Sequence, residues 1–174
     1  MTETPQKAKF VINLKPEVVF SVLSLLVSLF TLIFFVVQTN IMQSQQQASV
    51  WPYLEVKVGI FENKFYIDIQ NKGVGPAIVE YASFEHHGKK YDNFVEVAKD
   101  IVRDSTLNYS NIITSSIQKS VISASEKVRI FQSSELKHST KLINNTSEIK
   151  IAIRYRSIYG KKWENVNYEV KEIN

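Results

Sequence analysis

The chain has 174 residues, with 21 Lys and Arg against 17 Asp and Glu, a size that supports one modest hydrophobic core. Cysteine is absent, which excludes disulfides, thiolate catalysis and cysteine-based zinc sites together, though it leaves the compartment open. The first fifty residues hold Lys7, Lys9 and Lys15 against Glu3 and Glu17, so most of the net charge of +4 lies in residues 51–174, too dilute to argue for nucleic acid or anionic lipid as a partner.

Residues 18–37, VVFSVLSLLVSLFTLIFFVV, contain no charge. At about 1.5 Å per residue this run covers ~30 Å, the thickness of a hydrocarbon core, and predicts a membrane-spanning helix. Pro16 and Glu17 suit its first turn: the missing Pro N–H is not needed there, and the carboxylate favours the positive end of the helix dipole. A cleaved signal peptide is the competing reading. The apolar run is longer than a signal core, and QQQAS after it makes a poor cleavage site. Three lysines precede the run and no charge follows it until beyond Tyr53, so the positive-inside rule predicts a cytoplasmic N-terminus and a domain outside the cytoplasm, at the cell membrane. Ser21, Ser24, Ser28 and Thr31 share one helix face. A helix–helix interface and a homo-oligomer are one reading of this stripe; the favoured one is that each hydroxyl bonds its own preceding turn.

The expected organisation is a tail over 1–16, a transmembrane helix over 17–38, a polar stalk over 39–50 that would tolerate helix until Pro52, and a β domain over 51–174. Trp51 is expected to open the first strand. Leu54, Val56, Val58 and Ile60 alternate, as do Phe65, Ile67 and Ile69, predicting a hairpin about Glu62-Asn63. A loop at residues 71–76, a strand over 77–84, a turn at His87-Gly88 and a short strand to Tyr91 follow. Phe94, Val97, Ala98 and Ile101 have helical spacing, with Glu96, Asp100 and Asp104 forming a carboxylate stripe that a solvated face explains.

Residues 105–119 carry no clear period. A strand over 127–131 and a helix capped by Ser134 and running to Ile143 are expected next. The chain then shows a long terminal hairpin: Ile149, Ile151, Ile153 and Tyr155, a turn at Tyr159-Gly160-Lys161, and Val166, Tyr168 and Val170. About seven strands and one or two short helices predict a small β-sandwich, with a small β-barrel giving the same local pattern.

Chemical motifs are weak. Gly73 and Gly75 lack the Lys-Ser/Thr pair and following helix of a phosphate loop, so they are expected to supply left-handed turn conformations. His86 and His87 are adjacent, and in an extended segment their side chains would point to opposite faces, which argues against a metal site. Arg154, Arg156, Tyr159, Lys161 and Trp163 form the candidate ligand or partner surface, since aromatics interleaved with cations can stack bases, although the same residues are ordinary strand formers. No catalytic residue, metal ligand or cofactor site is expected.

The anchor, the entry Trp51-Pro52-Tyr53-Leu54, the motif Asn71-x-Gly73-x-Gly75-Pro76-Ala77, and Tyr155 to Gly160 before Trp163 together resemble uncharacterised bacterial single-pass membrane proteins with small β-sandwich domains. The resemblance implies a bacterial source and a similar fold, with no activity attached. The expected function is a non-enzymatic, membrane-anchored binding module for a protein partner. The alternative is a sensor or effector whose domain faces the cytoplasm and binds a small anionic ligand such as a nucleotide.

Overall fold

The structure is a computed structural model that describes residues 15–103, 107 and 110–173. Lys7, Lys9 and Asp104, which carry parts of the topology and carboxylate-stripe expectations, lie outside the described residues. The chain divides into two compact units, residues 1–45 and 46–174.

Helix α1, Pro16–Ser49, contains the apolar run and buries none of its residues. It opens on Pro16, whose ring is pre-set for a first turn, and its 34 residues extend about 51 Å. The polar residues after the apolar run continue the helix, with Thr39 Oγ1 donating to Phe35 O and Ser44 Oγ to Asn40 O. Glutamine and alanine are adequate helix formers, and helix persists until the residues before Pro52, where the proline ring disfavours it.

The second unit holds two antiparallel sheets and no closed barrel. The first sheet has the order β1–β2–β7–β5, from Leu54–Phe61, Lys64–Asn71, Lys127–Ser133 and Ile112–Thr114. In the second, β10 (Glu169–Ile173), β9 (Lys162–Val166), β8 (Ile149–Arg156), β3 (Ala77–His86) and β4 (Lys89–Tyr91) follow one another, and β6 (Val121–Ile122) pairs with β3. Leu54, Phe65, Ile67, Ile69, Phe131, Val79, Ile153 and Tyr155 are buried, so the alternating apolar faces of both sheets form the core.

Helix α2, Phe94–Val102, is capped by Asn93, whose Oδ1 accepts from Glu96 N, and ends on Arg103 in the left-handed region. It packs on β3, β4 and β7, and on α3, Leu136–Asn144, which in turn packs on β1, β2 and β7.

Several expected boundaries shift. Trp51 stands before β1 rather than opening it. Ser134 does not cap α3; its N–H donates to Asn111 O, extending the pairing of β5 and β7, and the cap position falls to Glu135. The terminal hairpin is a three-stranded meander, because Asn167 and Tyr168 take positive φ values of 49° and 76° and turn the chain where a continuous strand was expected.

Between β6 and β4, the edge of β3 has no strand partner at Ala82. Gln118 fills the gap, its Oε1 accepting from Ala82 N at 3.1 Å while its Nε2 donates to Ala82 O. A side-chain amide thus replaces one rung of backbone pairing, satisfying groups that would be costly to bury alone.

Candidate functional site

The predicted ligand surface on the terminal meander separates into core and rim. Tyr155 and Trp163 face each other across β8 and β9 with ring centroids 5.9 Å apart, and both are buried. Trp163 therefore belongs to the core and cannot stack on a ligand. The Tyr155 hydroxyl accepts from Leu54 N at 3.3 Å, and burial pushes its pKa up to about 12. Arg154 pairs with Glu164 at 3.0 Å, Arg156 with Glu80 at 3.3 Å and Lys161 with Glu172 at 2.9 Å, leaving Tyr159 exposed in the turn. Each cation of the set has an acidic neighbour, which lowers the positive potential available to an anionic ligand.

In α1 the four aligned hydroxyls donate to carbonyls of their own helix: Ser21 to Glu17 O, Ser24 to Phe20 O, Ser28 to Ser24 O and Thr31 to Val27 O, at 2.8–2.9 Å. Their protons are engaged within the helix.

The Asn71 to Pro76 motif is a structural latch. Asn71 is fully buried; its Oδ1 accepts from Tyr53 N and Gly73 N, and its Nδ2 donates to Gly75 O and Ile122 O. Gly73 and Gly75 do not take the left-handed conformation expected of them. They are required by close approach: a Cβ would stand 2.3 Å from Trp51 O at Gly73 and 1.9 Å from Val50 O at Gly75. Strand β3 follows, so no helix N-terminus addresses the loop and the phosphate reading has no geometric support.

The histidines behave differently from expectation. His86 ends β3, but His87 enters the turn with φ at +49°, so strand alternation stops between them and their ring centroids lie 4.1 Å apart. The sheet register pairs His86 with Ile149 at the start of β8, which brings Glu148 of the 3-10 turn Thr146–Glu148 alongside. Glu148 Oε2 stands 3.2 Å from His87 Nε2 and 3.7 Å from His86 Nε2. One ligand atom from each of the three residues falls within 4.8 Å of the others.

On the opposite side of the His86 ring, Nδ1 lies 2.8 Å from Asp100 Oδ2 on α2. An ionised carboxylate only accepts, so the Nδ1 proton sits in this bond. The same bond holds the Asp100 carboxyl below its ordinary range. Asp100 is thus engaged with the sheet rather than merely standing on a solvated helix face. His86 is buried at 3% exposure, and its Nε2 makes no hydrogen bond. His87 and Glu148 are exposed, so the group opens to solvent on one side. The informative signal in the sequence is the turn residue Gly88: a turn beginning at His87 removes the basis for assuming strand alternation across the pair.

No curated protein and no solved structure matches the chain. A family model described as a domain of unknown function, DUF8453, matches residues 18–173, and the chain belongs to that family.

Proposed function

We propose that the protein is a single-pass membrane protein whose β domain acts as a non-enzymatic interaction module for a protein partner outside the cytoplasm. The observation that carries this reading is the chemistry of α1: its apolar stretch is long enough to cross a bilayer, and its side chains are all exposed. Exposed Leu, Phe, Ile and Val on this scale are costly in water and favourable in lipid. Lys15 beside the start of α1 and the uncharged polar turns beyond its apolar run favour an inward N-terminus. The buried Trp163 and the paired cations of the terminal meander support protein recognition over nucleotide capture.

A single cysteine at Ser134, an exposed position in this cysteine-free chain, tests the orientation. In cells with a permeabilised outer barrier, Ser134→Cys is expected to react with a membrane-impermeant maleimide before lysis, with no background from the parent. Labelling only after lysis would overturn the orientation and make the nucleotide-sensor alternative the better reading.

A further inference from the structure

We propose that His86, His87 and Glu148 form a binding site for a divalent transition-metal ion, with Zn²⁺ the best-suited occupant, and that Asp100 positions His86 for it. Two imidazoles and one carboxylate match the ligand preferences of zinc and its first-row neighbours, while calcium and magnesium favour all-oxygen shells.

Three independent features converge. The first is spacing. Tetrahedral ligands about 2.0–2.1 Å from zinc lie roughly 3.3 Å from one another. Glu148 Oε2 is 3.2 Å from His87 Nε2 and 3.7 Å from His86 Nε2, close to that spacing, and all three ligand atoms lie within 4.8 Å of one another, so side-chain adjustment at the exposed His87 and Glu148 would close the group around an ion.

The second is the unused nitrogen. His86 is nine-tenths buried or more, yet its Nε2 has no hydrogen bond and is directed at His87 and Glu148. A buried polar atom without a partner is costly, and coordination supplies the missing partner. The third is Asp100. Its carboxylate accepts a hydrogen bond from His86 Nδ1–H, which fixes the ring and leaves Nε2 as the nitrogen on the side of the site. Histidine ligands regularly carry such a carboxylate behind them.

The ligands come from the end of β3, the β3–β4 turn and the 3-10 turn before β8, while the positioning carboxylate comes from α2. An ion would therefore fasten two loops at one end of the domain. Three protein ligands leave a fourth position on the open side for water or for a donor atom of a partner.

The test uses the full chain in detergent micelles, purified without a polyhistidine tag, and titrated with Zn²⁺ by calorimetry and with Co²⁺ by visible absorption. The expected result is one ion per chain, with Co²⁺ bands of low-symmetry coordination. His87→Ala and Glu148→Gln change exposed side chains and should leave the fold intact by circular dichroism. Each should weaken Zn²⁺ at least tenfold. Asp100→Asn should weaken it about 10- to 100-fold and alter the Co²⁺ spectrum, with the fold intact by circular dichroism. Absence of saturable Zn²⁺ binding at millimolar concentration, equal binding by His87→Ala, or equal affinity for Ca²⁺ would each overturn the proposal.

Discussion

Asp68 shows how a charge is accommodated within a sheet. Burial pushes its carboxyl upward, but two hydrogen bonds from Arg129, at 2.8 and 3.1 Å, and the charges of Arg129 and Lys127 outweigh that and hold it below the ordinary carboxylate range. The Arg129 guanidinium also lies over the Tyr66 ring, 5.2 Å from its centroid, which orients the pair. A depressed folded pKa contributes stability that is fully present above the unfolded value, about 3.9, and is lost as pH falls through the folded one. Asp68→Asn is expected to reduce stability at neutral pH, with the difference from the parent shrinking below about pH 4. Arg129→Met, which leaves the buried carboxylate with Lys127 as its remaining cation among the described residues, should cost more, about 3 kcal/mol, and its deficit should lessen on acidification as Asp68 takes up a proton. Urea denaturation across pH checks both; an Arg129→Met deficit smaller than that of Asp68→Asn would contradict the account. Neither effect was legible in the sequence, because the partners are 61 positions apart and only strand register unites them. A comparable separation in sequence hid the histidine group, whose members His86 and Glu148 meet through pairing of β3 with β8.

At the level of elements, local pattern was most informative where one face is buried and turn residues flank it. The β1–β2 hairpin, the strand from Ala77 and helix α2 all follow their expected periods. The pattern failed where pairing is short or supplied by a side chain. Strands β5 and β6 have three and two residues, too few to show an alternation, and Gln118 stands in for a rung that no period could signal. Tyr168 misled because its place in the apolar alternation concealed a turn. The β1–β2 turn offers a direct test of turn chemistry. Glu62 and Asn63 have φ values of 49° and 64°, the double left-handed geometry of a two-residue hairpin loop, and both are exposed. Asn-Gly suits that geometry better than Glu-Asn. The double variant Glu62→Asn, Asn63→Gly is expected to stabilise the domain by about 1 kcal/mol, read as a rise of ~4 °C in the thermal midpoint. An unchanged or lower midpoint would mean that the left-handed residues carry little strain here.

For the whole molecule, the separation into an apolar helix and a β-rich unit was legible from composition alone, since an uncharged run stands beside a polar, alternating sequence. The choice between sandwich and barrel was not, because both use the same alternation and differ only in whether the edge strands pair. Here β1 and β5 bound one sheet, and the two sheets pack without closing. Among the described residues, the core of the second unit draws its buried apolar side chains from beyond Val50, while α1 contributes none. Deleting residues 1–45 should therefore leave a domain that folds with the sheet-rich circular dichroism and the thermal midpoint of the full chain, and that stays in the soluble fraction. The full chain should sediment with membranes and resist carbonate extraction, and its intact mass should still include residues 18–37. Loss of those residues from the mature chain would identify the apolar run as a cleaved signal instead. An unfolded truncation would show that α1 stabilises the domain by contacts beyond the burial of its own side chains.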